Sequence, residues 1–111
     1  MNDSDRSILL GQLEGSDTGS ATNALLSLTY GENDIDWIQD IILGCISDSM
    51  DRQVRELAVI CLGHVARLYG SIRRDAVTRL NDLMEDSELG GFAEDALDDI
   101  ASFSPGSLEF E

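Results

Sequence analysis

His64 and Cys61 come closest, in residue type and spacing, to a catalytic pair. His64 is the only histidine of the chain, and Cys61 lies three residues before it, so both could lie on one side of a helix. A cysteine nucleophile with a histidine base also needs a group that orients the imidazole. On a helical wheel Cys61 lies near the centre of the apolar face and His64 on its flank. This favours a buried thiol and a boundary histidine, and we predict no catalytic residue.

The carboxylates and cysteines offer no clear metal or cofactor site. Asp98 and Asp99 are adjacent, so on a helix they point about 100° apart and do not converge. Structural zinc takes four cysteine or histidine ligands, whereas this chain has 2 cysteines and 1 histidine. A phosphate loop of the GxxxxGK type needs a lysine, which the sequence lacks. We therefore predict no metal and no cofactor.

The charge of the chain excludes some classes of partner. Its 111 residues include 22 acidic and 7 basic ones, for a formal net charge of −15. Nucleic acids and anionic membranes bind basic surfaces, so neither is an expected partner. A basic protein is the natural complement, because opposite fields speed encounter. The alternative is that the charge serves only solubility.

The composition is that of a folded protein. Apolar residues make up 42% of the chain, and no apolar run approaches the roughly 18 residues of a membrane span. The N-terminus is acidic and lacks the positive region of a secretory signal, so we expect a cytoplasmic protein.

Helices are the elements that must position these residues. Apolar residues recur at helical spacing, and the only proline, Pro105, lies near the end. Asp34 and Asp51 are expected N-caps, and Gly70 is an expected C-cap. Residues 104–111 have turn composition, so we expect a mobile C-terminal tail after one helical domain over 1–103. The predicted helices cover residues 4–14, 17–29, 34–47, 51–69, 73–86 and 88–103.

The geometry of the third and fourth helices argues against a disulfide. If these helices are antiparallel with a turn near residue 50, Cys45 and Cys61 are about 10 Å apart along the helix axes. A disulfide allows only about 7 Å between the two Cα atoms. We therefore predict two buried thiols that are not joined.

The second helix of each helix pair repeats along the chain. A shift of 35 residues places Ala58 on Ala93 and Leu62 on Leu97, and a shift of 37 in the other direction places Ala58 on Ala21. A period of 35–40 residues built from helix pairs is typical of an α-solenoid, which needs about three pairs for stability. We therefore predict an all-α fold, a short α-solenoid of about three antiparallel helix pairs.

The repeated segment resembles a known family. The run DRQVRELAVICLGHVARL, residues 51–68, resembles the second helix of a HEAT-type repeat in its turn acid, its Val-Arg pair and its alternating small and large apolar residues. A second copy over 86–100 keeps the acid and the apolar positions but has Gly90 where the arginine would be.

Three further stretches resemble small bacterial HEAT-like proteins. They are Asp36-Trp37, the run CLGHVAR over 61–67 and the run AEDALDDI over 93–100. Proteins of this kind resemble immunity proteins that neutralise polymorphic or contact-dependent bacterial toxins. The resemblance implies such a role here.

Two helix faces are our candidates for a partner-binding surface. One is a line on the fourth helix, opposite its apolar face, that runs through Gly63 and would look into the concave side of the solenoid. The other is the equivalent line of acids on the sixth helix. Trp37 either packs against the neighbouring helix pair or serves as an exposed aromatic anchor. The candidate residues are Trp37, Glu56, Ile60, His64, Arg67, Glu94, Asp95 and Asp98.

The sequence therefore favours a protein that acts by binding. We expect an immunity protein, monomeric before complex formation, that occludes a cognate toxin, for instance a nuclease, through its acidic surface. A HEAT-repeat scaffold, adaptor or assembly factor is the first alternative and predicts a larger assembly or a bound chromophore. An enzyme is the second, and it would need His64 and a carboxylate to converge in a pocket.

Overall fold

Six α-helices form most of the computed structural model, which describes residues 2–47 and 49–108. No strand occurs among these residues, so the predicted all-α class is confirmed. The six predicted helices are also confirmed, with ends that shift by a few residues. The elements are α1 Asp3–Leu13, α2 Thr18–Gly31, α3 Ile35–Gly44, α4 Arg52–Tyr69, α5 Arg74–Leu83, α6 Gly90–Phe103 and a 3-10 helix at Pro105–Leu108.

Side-chain caps explain where several helices begin and end. Asn2, Asp17 and Asp34 each accept a hydrogen bond from a backbone N–H in the first turn of the helix that follows. The Asp51 carboxylate accepts from the backbone N–H of the second residue of α4 at 2.9 Å. Gly70 follows the last residue of α4 with a φ of 71°, a left-handed conformation that favours glycine. The predicted caps are therefore confirmed.

The turn between α5 and α6 is longer than the sequence predicted. The backbone N–H of Asp86 donates to the carbonyl of Leu83 at 2.9 Å, which closes a tight turn and ends α5. The Asp86 carboxylate then accepts from the backbone N–H groups of Glu88 and Leu89, both at 2.8 Å. Asp86, the acid at the start of the second repeat copy, thus holds the backbone that precedes α6.

The chain divides into two compact units, Met1–Ala58 and Val59–Glu111, with the boundary inside α4. The apolar core of the first unit consists of Leu13, Ala21, Ala24, Leu25, Leu28, Ile38, Ile42, Cys45, Ile46, Val54 and Ala58. The core of the second consists of Val59, Cys61, Leu62, Val65, Ala66, Ile72, Ala76, Val77, Leu80, Leu83, Leu89, Ala93, Ala96 and Ile100. The single domain over 1–103 stays a prediction.

Both cysteines are buried, Cys45 in the first unit and Cys61 in the second, and neither forms a disulfide. This confirms the prediction of two unjoined thiols. Over residues 2–47 and 49–108, no helix combines the length and the apolar character needed to cross a membrane.

Two serines of the C-terminal segment bind earlier residues of the second unit. The hydroxyl of buried Ser104 donates to the backbone carbonyl of Ala66 at 3.1 Å, and the Ser107 hydroxyl accepts from the backbone N–H of Ile72 at 3.1 Å. The sequence did not reveal these two anchors. Residues 109–111 of the predicted tail lie outside the described residues, and the mobility of the segment stays a prediction.

Candidate protein-interaction surface

Close packing of α4 against α6 brings the two candidate helix faces together in the second unit. Gly63 is buried, and a Cβ atom placed on it would lie 3.3 Å from the Ala96 Cα and 2.8 Å from Asp99 Oδ2. Such an approach is possible only because residue 63 has no side chain. The expected line through Gly63 is therefore not an open face, since α6 covers it at this point.

His64 lies beside this contact and is half-buried. Burial lowers its pKa below the ordinary value, and the nearby positive charge of Arg67 lowers it further, whereas the charge of Asp99 opposes the shift. The folded environment therefore favours the neutral form of the His64 imidazole. His64 fits the predicted role of a boundary histidine in a surface that holds both signs of charge.

Arg67 and Phe103 form an exposed cation–π pair at the ends of α4 and α6. The guanidinium carbon of Arg67 lies 5.8 Å from the centre of the Phe103 ring, and the ring is 52% exposed. Leu68, next in sequence, is also exposed. Arginine and aromatic side chains are enriched in protein interfaces.

Phe103 was not among the candidate residues, because its spacing continues the apolar face of the sixth helix. Its helical spacing is correct, but it is the last residue of α6 and its side chain is largely exposed. Its position at the end of the predicted helix could have indicated this exposure, because a residue at a helix end can continue the apolar spacing without having a neighbour to pack against.

The outer face of α6 is acidic in the middle of the helix. Glu94, Asp95 and Asp98 are exposed, Asp99 is half-buried, and the helix has no basic residue. The spacing of three or four residues brings these like charges together on one face. Asp98 and Asp99 are also nearer to the C-terminus of the helix, where the macrodipole favours positive charge.

Ile60 completes the part of the candidate set that lies in the second unit. It is half-buried on α4, one turn before His64. The second unit thus contains six of the eight candidates, Ile60, His64, Arg67, Glu94, Asp95 and Asp98.

The remaining candidates, Trp37 and Glu56, lie in the first unit. Trp37 is half-buried, and the Arg6 guanidinium lies 4.4 Å from the centre of its ring. This favours the packing alternative for Trp37, while its role in partner binding stays a prediction. Glu56 is half-buried and accepts a hydrogen bond from Arg52 Nε, one turn earlier, at 2.9 Å.

Arg6 also forms a partly buried ion pair with Glu32. Its Nε donates to Glu32 Oε2 at 2.6 Å, and Glu32 is only 3% exposed. The hydrogen bond from Arg6 lowers the pKa of Glu32 to about 2, and the backbone N–H groups of Asp34 and Asn33 contribute to the shift. This carboxylate therefore stabilises the first unit.

Within the part of the chain that the structure describes, no cluster of three or more histidine, cysteine, aspartate or glutamate side chains could hold a metal ion.

The main features of the candidate surface are the Arg67–Phe103 pair and the acidic face of α6. Together they are suited to contact a protein that carries positive charge.

Comparison with known proteins shows a similarity to a solved structure. No protein-family model matches the sequence, and no curated protein matches it. The chain is similar to a chain in the crystal structure of a CDI complex from Cupriavidus taiwanensis LMG 19424, with a TM-score of 0.80. The two sequences are 26% identical, and the match covers 96% of this chain and 91% of that chain. The similarity therefore extends over nearly the whole length of both chains.

Proposed function

We propose that this protein is an immunity protein of the CDI type, which binds a cognate bacterial toxin in the cytoplasm and neutralises it by stoichiometric occlusion. The full-length similarity to a chain of a CDI complex supports this role, as do the sequence stretches that resemble immunity proteins. The proposal includes the HEAT-like arrangement of three helix pairs that the sequence repeat predicts. On this account the protein is a monomeric inhibitor and not an enzyme.

The observation that carries the proposal is the acidic face of α6. Glu94 and Asp98 are four residues apart, as are Asp95 and Asp99, and like charges at this spacing destabilise a helix by about 0.2–0.5 kcal/mol per pair. The helix has no basic residue to compensate. Departures from local stability rules are expected at functional sites, so this face is better explained by a basic partner than by solubility alone.

In the proposed mechanism, one group of residues speeds association with the toxin and another slows its dissociation. The acids of α6 steer a basic toxin surface toward the protein, and such steering can raise association rates from about 10⁵–10⁶ to 10⁸–10⁹ M⁻¹s⁻¹ at low salt. The Arg67–Phe103 pair then supplies desolvated contacts that slow dissociation. A nuclease is the favoured toxin class, because its nucleic-acid-binding surface is basic and this protein would cover it.

The test is binding and protection with the toxin encoded beside this protein. The variant Asp95→Asn with Asp98→Asn removes two charges from α6, and the control Asp82→Asn with Glu85→Gln removes two exposed charges elsewhere in the second unit. We expect the α6 variant to associate with the toxin about tenfold more slowly at low salt and the control to change little.

Two results would contradict this proposal. One is the absence of both a complex and protection of toxin-expressing cells by the unmodified protein. The other is a stable association with a larger assembly or a pigment, which the scaffold alternative predicts.

A further inference from the structure

Two adjoining cavities open on the first unit, and none of the expected partner-binding residues lines either of them. The first has a volume of about 210 Å³, and the second has a volume of about 170 Å³. They share the lining residues Leu13, Glu14 and Met50 and therefore lie side by side, and we call them together the groove and each of them one of its two parts. Each part is smaller than the roughly 300–1,000 Å³ of a typical small-molecule site and suits a side chain better than a cofactor.

The two parts of the groove differ in chemistry. The first part is lined mainly by apolar side chains, among them Leu10, Ile41 and Cys45. The second part is lined by polar groups that include Ser16, Ser49 and Asp51. The groove is therefore built to accept an apolar group beside a polar one.

Carboxylates give the groove its charge. Asp40 lines the apolar part, Glu14 stands where the parts join, and Asp51 lines the polar part, whereas no arginine lines either. Two hydrogen bonds hold Asp51 in place: Oδ1 accepts from the backbone N–H of Gln53 at 2.9 Å, and Oδ2 accepts from the Thr18 hydroxyl at 3.3 Å. The first unit as a whole carries 11 acidic and 3 basic residues. A cationic group is thus the complement of this groove.

The wall of the groove can adapt to an occupant. Met50 lies between the two parts and is half-buried, and methionine side chains repack readily around different partners. Gly44 lines the apolar part and has no side chain, and a Cβ atom on it would lie in open space, with nothing within 4 Å.

We propose that this groove is a second docking site for the protein partner and receives an apolar side chain next to an arginine. The apolar side chain fills the part beside Leu10 and Ile41, and the guanidinium lies in the polar part between Glu14 and Asp51. Arginine fits better than lysine, because its planar group can bind two carboxylates or one carboxylate in bidentate fashion. This inference rests on the proposed function in that the segment belongs to the basic toxin.

The test uses short peptides as probes and does not require the toxin. The full-length chain, labelled with ¹⁵N, is titrated with acetyl-Gly-Leu-Arg-Gly-amide, with the same peptide carrying neutral citrulline, and with one carrying glutamate. We expect saturable shifts at the amides of Gly15, Gly44 and Ser49 with the arginine peptide, about tenfold weaker binding of the citrulline peptide, and no binding of the glutamate peptide.

Matched glycine variants identify the site. Gly44→Met places a side chain at the rim of the groove, whereas Gly11→Met makes the same change at an exposed helix position that lines neither part. Gly44→Met should weaken binding of the arginine peptide at least tenfold, and Gly11→Met should leave it unchanged. Glu14→Gln should weaken it without affecting the fold, because Glu14 is exposed.

The outcomes separate this inference from the proposed function. The groove site is refuted if the arginine peptide gives no saturable shifts at about 10 mM, if the glutamate peptide binds equally, or if Gly44→Met changes nothing. It is also refuted if the groove proves to be covered by a second copy of the chain. If the peptide binds as expected but the toxin is not neutralised, the docking site stands and the immunity function fails.

Discussion

Replacement of Gly63 by alanine should destabilise the protein, although alanine is the better helix former. Gly63 lies in the interior of α4, where alanine would ordinarily gain about 1 kcal/mol over glycine. The new Cβ would lie 2.8 Å from Asp99 Oδ2, so the Asp99 side chain would have to shift, and 3.3 Å from the Ala96 Cα, so the backbone of α6 would have to move by a few tenths of an ångström. Overpacking of this kind costs roughly 1–3 kcal/mol. We therefore expect a net loss of about 1 kcal/mol.

Gly11→Ala is the matched control. Gly11 also lies inside a helix, and a Cβ atom on it would meet nothing within 4 Å. This change should raise the free energy of unfolding by up to about 1 kcal/mol. Urea denaturation followed by circular dichroism measures both variants, and melting temperatures should shift in opposite directions by roughly 4–8 °C per kcal/mol.

A second substitution tests whether the contact with α6 is the cause. The nearest atom to the new methyl group belongs to the Asp99 carboxylate, so Gly63→Ala should cost less in a protein that already carries Asp99→Ala. The backbone contact with Ala96 should leave part of the cost. If Gly63→Ala stabilises the protein as much as Gly11→Ala does, α6 does not pack on Gly63 and the two candidate helix faces are not brought together there.

Three other outcomes follow from the structure. Gly90→Ala should destabilise more than Gly63→Ala, as measured by the urea midpoint, because its Cβ would lie 2.6 Å from a backbone oxygen, that of Met84. The stabilising effect of Glu32 should be complete above about pH 4.5 and disappear as the pH falls toward about 2, because the pKa of Glu32 is lowered in the folded state. In Arg6→Gln the free energy of unfolding should therefore depend less on pH over this range. On the proposed function, Phe103→Ala should speed dissociation of the toxin complex with little change in association rate, and an unchanged dissociation rate would exclude an anchor at this position.

The helices could be predicted from the sequence because apolar spacing and caps agree along most of the chain. Asp34, Asp51 and Gly70 mark helix ends through local hydrogen bonds or backbone conformation, which a sequence displays directly. The end of α3 could not be read in this way. Cys45 and Ile46 keep the helical apolar spacing and are buried, yet they lie in the turn after Gly44.

Contacts between distant parts of the sequence were beyond prediction. The bond from Ser104 to the carbonyl of Ala66 joins residues 38 positions apart, and nothing in the local sequence distinguishes this serine from one in a loop. The role of Gly90 was also hidden: it departs from the repeat pattern because the Met84 carbonyl passes close to it. Such constraints appear only when the backbones are placed together.

The exposure of part of the candidate surface could be predicted from the sequence, whereas its contact with a partner stays a prediction. The acids of α6 and Arg67 were expected to contact a partner, and the structure places them at the surface of one unit. Helical spacing describes α4 without its neighbours, and for this reason Gly63 was expected on an open face. Phe103 and the groove of the first unit were missed because exposure depends on which neighbours a side chain has, and spacing alone does not give this.

The most direct test of the central claim is a titration of the toxin domain encoded beside this protein with the purified chain. The proposed function predicts that toxin activity falls in proportion to the added protein and reaches its minimum at one equivalent, with a one-to-one complex isolated by size-exclusion chromatography and light scattering. Toxin activity that is unchanged by a large excess of the folded chain would contradict it.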